Sequence, residues 1–225
     1  ASMRPAIAFE VHCRNATAEE QRATLAFSFP GPAKEEAGCE EFDRTPLADP
    51  LPGVSITGVL ASWALAAMDG DAPRFGGELG ANGAAWASAA SQLPEAAPAE
   101  SGASAAVDVA LAPGESRIVR FIVAWHAPTW KGGGYNWAPD GNVFHHMYAR
   151  EHPSAEAALE GFVRQNDALL KRIIAWQEVL YQEEALPLWL RDSLVNVLHL
   201  IAETGHWAQA RPPLGDWVRE KDGLW

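Results

Sequence analysis

The chain has 225 residues, 48% of them hydrophobic, which is enough to bury a sizeable core and excludes a disordered polypeptide. Lysine plus arginine number 17 against 29 aspartates and glutamates, a net charge of −12, and the cations form no stripe that could follow a phosphate backbone, so nucleic acid is excluded as a partner. There is no run of about 18 apolar residues and no charged leader before an apolar stretch, so a soluble, cytoplasmic protein without a transmembrane segment is expected.

In chain order, Ile7–Cys13 and Ala23–Phe29 both alternate apolar and polar residues at period two, which predicts two antiparallel strands paired across the polar turn Arg14–Gln21. Val54–Leu60 and Trp63–Met68 predict a second strand pair, with Gly58 as a bulge. Residues 70–105 are rich in alanine, glycine, serine and proline with Trp86 as the single large anchor, and predict a loosely structured excursion. Val107–Leu111, the turn Pro113-Gly114-Glu115-Ser116 and Ile118–Trp125 read as strand, turn, strand. The expected fold is thus a mostly antiparallel β-sandwich over residues 1–125, followed by a linker loop over 126–153 carrying Gly132-Gly133-Gly134.

From 154 the period changes. Ser154 is placed to cap a helix whose apolar face includes Leu159, Phe162, Val163, Leu169, Leu170, Ile173, Ile174 and Leu180. Pro187 then opens a second helix, Leu188–Ile201, that is apolar nearly all round, and Gly205 stops it. One neighbouring helix covers only one face of such a segment, so its burial within the chain alone is expected to be poor. Residues 154–225 therefore read as the first helices of a larger helical domain.

No cluster of histidine, cysteine or carboxylate has metal-ligand spacing, and Cys13 and Cys39 have no second pair, so neither metal nor cofactor is expected. The glycine run lacks the Lys-Ser/Thr ending of a phosphate loop. Glu183-Glu184 and Asp140 read as solvated or turn residues, and His199 as a hydrogen-bonded core histidine. Trp130, Tyr135 and Trp137 could stack on a sugar ring or wedge the loop between two domains. Glu203, His206 and Trp207, clustered after the second helix, are with Trp137 the candidate substrate-binding residues; Glu203 can equally cap or ion-pair.

From Phe121 onward the order of features is specific: Phe121-Ile122-Val123-Ala124-Trp125, the glycine-rich loop with Tyr135-Asn136-Trp137, Tyr148, Ile174-Ala175-Trp176-Gln177, Leu186-Pro187-Leu188-Trp189-Leu190, Leu194-Val195-Asn196 and Glu203-Thr204-Gly205-His206-Trp207. This set resembles glycoside hydrolase family 116, the group that includes the non-lysosomal glucosylceramidases, at the junction of its N-terminal β-sandwich with its (α/α)6 catalytic domain. Ser55-Ile56-Thr57-Gly58-Val59-Leu60 looks like an upstream strand of that family. The chain departs from it at His126, where many members carry an aspartate, and at Ala202-Glu203-Thr204-Gly205, where they read Asp-Gly-Gly-Thr.

The resemblance implies a retaining hydrolase of a β-glucoside or related glycoside. It places both catalytic carboxylates in later parts of the helical domain, beyond Trp225, with the remainder of that domain as a partner of this portion. A rival reading is an accessory carbohydrate-binding or structural sandwich without catalysis.

Overall fold

The computed structural model describes residues 4–131 and 143–197. By its contacts the chain divides into two compact units; among the described residues one holds 5–127 with 153–160, and the other holds Arg4, 128–131, 143–152 and 161–197.

In the first unit the strands are β1 (Ala6–Arg14), β2 (Gln21–Phe29), β3 (Asp43–Leu47), β4 (Gly53–Thr57), β5 (Ser62–Met68), β6 (Asp71–Gly76), β7 (Ala103–Leu111) and β8 (Ser116–His126), with the short helices α1 (Lys34–Ala37) and α2 (Gly83–Ser88) between them. They form a five-stranded sheet ordered β1-β8-β5-β4-β3 and a three-stranded sheet ordered β2-β7-β6, with every pairing antiparallel. The expected antiparallel sandwich is present.

Its pairing differs from the sequence expectation. β1 does not pair with β2: it lies along β8 with Phe9 opposite Phe121, while β2 lies along β7 with Leu25 opposite Val107. The polar turns after β1 and after β7 are arches that carry the chain from one sheet to the other. Alternation reveals which face of a strand is buried and is silent about the neighbour beside it. β4 and β5 do pair, but Gly58 begins their turn, donating its N–H to the Ala61 carbonyl at 2.9 Å, and is not a bulge. β3 was not foreseen; it carries Pro46 at the sheet edge, where a missing donor costs nothing.

The core lies between the sheets. Ile56, Trp63, Leu65, Val119, Phe121 and Val123 come from the larger sheet and face Ala103, Ala105, Val107 and Val109 of β7. Large side chains therefore meet small ones, and the Phe27 and Phe121 rings stack across the gap with centroids 5.5 Å apart.

Both outer faces carry a cover. On the three-stranded sheet, outward-facing Ser104 and Ala106 are fully buried, and the Ser104 hydroxyl donates to the Gly77 carbonyl at 2.6 Å. The cover is the segment between β6 and β7, with Leu79 and Ala89 buried and the Arg74 guanidinium donating to the Ala89 and Ala90 carbonyls. The expected loose excursion is thus partly structured. Its small residues let backbone lie close to backbone: a Cβ on Gly76 would stand 2.5 Å from the Leu93 Cβ. Trp86 is no anchor; it is 44% exposed, its indole N–H donating to the Gly80 carbonyl at 2.9 Å.

On the larger sheet, Ser55, Ala64, Ala66, Ile122 and Ala124 are buried on the side away from the core. Residues 155–160, the first turns of α4 (Ala155–Tyr181), belong to this unit and present Ala155, Ala158 and Leu159, all buried, at the i, i+3, i+4 spacing of one helical face. The Ser154 side chain caps that helix, accepting the Ala157 N–H at 3.1 Å, as its sequence position predicts.

The second unit contains the pair β9 (Thr129–Lys131) and β10 (Val143–His145), α3 (Tyr148–Glu151), the remainder of α4 and α5 (Leu188–Asn196). Arg191 fastens the α4–α5 corner by donating to the carbonyl of Tyr181, the last residue of α4, at 2.6 Å, and to that of Leu186 at 2.7 Å. A cation at a helix C-terminus is also favoured by the helix dipole. The Tyr181 hydroxyl donates to Asp192 at 2.7 Å. As expected, α5 is poorly covered: Leu188 is 66% exposed and Trp189 68%. The expected continuation of this helix to Ile201, and the stop at Gly205, lie outside the described residues.

Candidate functional site

The four sequence-predicted substrate-binding residues, Trp137, Glu203, His206 and Trp207, lie outside the described residues, as do Tyr135, Asp140 and His199. The described candidates are structural. Glu183 accepts the Ala185 N–H at 3.1 Å in the turn after α4, which suits the reading of Glu183-Glu184 as solvated residues. His146 stacks on Tyr148 with ring centroids 5.4 Å apart, and His145 buries its Nδ1 without a hydrogen-bond partner. Among the described residues no three histidine, cysteine or carboxylate side chains are grouped as a metal would require.

The described residues do assemble one polar cluster, on the outer face of the larger sheet. Ser55 of β4 pairs with Ala64 of β5, which pairs with Ala124 of β8, and His126 lies two residues further along β8 opposite Ser62. Because side chains alternate at period two, Ser55, Ser62 and His126 share that outward face. Ser55 is only 2% exposed, and a buried hydroxyl needs a partner. It donates to a carboxylate oxygen of Glu156, in the first turn of α4.

Glu156 is held below the usual carboxylate range. Burial is the largest influence and raises its pKa, but hydrogen bonds from the Ser55 and Ser154 hydroxyls and its own backbone N–H, with the nearby His126, together outweigh it. The first turn of a helix also favours a negative charge. His126 is also shifted down, which for an imidazole favours the uncharged form. Desolvation pushes its pKa down, against the pull of Glu156. The cluster is therefore an ionised carboxylate clasped by two hydroxyls beside an imidazole biased toward its neutral form.

Chemically this arrangement fits an anchor. The hydroxyl protons point at Glu156 and leave Ser55 without an imidazole base of the kind a nucleophilic serine uses. Sequence reasoning noticed Ser55 as part of a strand, His126 as a departure and Ser154 as a cap, and missed Glu156. An acidic residue two positions after a capping serine was the available signal.

Compared with known families and with curated proteins, the chain matches no family model and no curated protein.

Proposed function

We propose that this chain is the sandwich-bearing portion of a retaining glycoside hydrolase of the family 116 type, acting on a β-glucoside or related glycoside. The observation that carries the reading is the succession of elements: a two-sheet antiparallel sandwich closes on β8, and a capped 27-residue helix follows whose first turns rest on that sandwich. The ordered residues from Phe121 to Trp207 support it from the sequence side. In this reading α4 and α5 begin an (α/α)6 barrel, and Glu203, His206, Trp207 and Trp137 line the sugar site. Nucleophile and acid/base, which retaining hydrolysis sets about 5 to 5.5 Å apart, come from later helical-domain residues, beyond Trp225.

The 225-residue chain by itself is then expected not to hydrolyse aryl glycosides. A mechanism-based fluoroglycoside, which traps the glycosyl-enzyme, should label the parent polypeptide on a carboxylate outside residues 1–225. Turnover by the 225-residue chain that vanishes in Glu203→Gln would overturn the assignment. A parent polypeptide ending at Trp225 with no turnover would leave the accessory sandwich, which the self-contained core between the two sheets favours.

A further inference from the structure

Asn15-Ala16-Thr17 is the one Asn-x-Ser/Thr tripeptide in the sequence, the pattern that accepts an N-linked glycan. In the fold it has another use. Asn15 follows β1 at the arch to the other sheet, beside the arch from β7 to β8, and is 3% exposed. Its Nδ2 donates to the carbonyls of Glu19 at 2.7 Å and Leu111 at 2.9 Å. Its Oδ1 accepts the Thr17 N–H at 2.9 Å and lies 2.8 Å from the Thr17 hydroxyl. Its backbone N–H reaches the Glu115 carbonyl at 2.9 Å, and its own carbonyl accepts the Gly114 N–H at 3.0 Å. One side chain thus ties both arches together.

We infer that Asn15 is a glycan acceptor only in the unfolded chain, and that glycosylation there and closure of this corner exclude one another. In the transfer, Nδ2 attacks the anomeric carbon of a polyprenyl-pyrophosphate-linked sugar. The C–N bond forms, the bond from carbon to the phosphate oxygen breaks, Nδ2 gives up one proton and the pyrophosphate leaves; no redox partner is needed. The product amide keeps a single hydrogen, so it can serve only one of the two carbonyls that Nδ2 serves in the fold. The sugar would also need space at a residue that is 3% exposed. The folded chain cannot present the nitrogen for attack unless both donated bonds break.

The test compares two routes for the full chain. In one, it is translated behind a cleavable secretory signal in the presence of microsomes carrying oligosaccharyltransferase, so that Asn15 enters the lumen and meets the enzyme before folding. In the other, the purified folded chain is incubated with the solubilised transferase and its lipid-linked donor. The glycan is read as a mass increase removed by a glycosidase that cleaves N-linked chains, and Asn15→Gln abolishes it in the first route. Occupancy in the second route is expected to be at least about tenfold lower, since attack requires the corner to open. The glycosylated product should lack the cooperative thermal transition of the unmodified chain. Equal occupancy by both routes, a glycosylated chain with the unmodified transition, or no glycan by either route would each overturn the inference.

Discussion

At the scale of single residues, the clearest energetic statement concerns Glu156. Its pKa is lower in the folded chain than in the unfolded one, so the folded state gains stability from it above the ordinary glutamate value of about 4.3 and loses that gain as pH falls through the folded value. Glu156→Gln removes the titration. It should cost about 1 kcal/mol at neutral pH, in line with a partly exposed hydrogen-bonded carboxylate. Urea unfolding at pH 7 and pH 3 checks this: the gap between parent and variant should shrink at the lower pH. A gap that holds constant would mean that the anchor depends on shape alone. Ser154 was legible because a cap depends on three neighbouring residues. The Ser55–Glu156 bond was not, because it joins positions 101 residues apart.

At the scale of elements, periodicity located β1, β2, β4, β5, β7, β8 and α4 to within a few residues, and located α5 up to the end of the described segment. It failed for β3 and β6, short strands in which Pro46 and Pro73 interrupt the alternation that the reading relies on. The helices left a different mark. Val179 on α4 and Leu188, Trp189 and Val197 on or just after α5 are between 48% and 71% exposed, which is unusual for side chains each worth about 1.5 to 3 kcal/mol when buried. Leu188→Lys with Trp189→Lys is expected to reduce self-association of the 225-residue chain, as read by light scattering. Its folding stability should move by no more than about 0.5 kcal/mol, because these positions contribute little to a core within the chain. A large loss of stability would show that they are packed after all.

At the scale of the whole molecule, the sandwich is a self-contained core with its outer faces covered, by the segment between β6 and β7 on one side and by the first turns of α4 on the other. The centre of that core is Phe121, 1% exposed and stacked on Phe27. Phe121→Ala should cost about 3 to 5 kcal/mol, much of the stability of an ordinary domain. Calorimetry is expected to show the sandwich transition shifted down or lost. Among the described residues no helix is long and apolar enough to cross a membrane.

What the sequence determined alone was local: where six of the sandwich strands run, where the period turns helical, which serine caps α4, and that α5 carries more apolar surface than one neighbour can cover. These follow from side chains a few residues apart, whose spacing is set by backbone geometry. Only the tertiary structure decided that β1 and β2 lie in opposite sheets, that Asn15 ties two arches, and that Ser55 meets Glu156. Each depends on which strand lies beside which, and residues as far apart in the chain as Leu25 and Val107 or Ala6 and Ala124 leave no periodic trace of that choice.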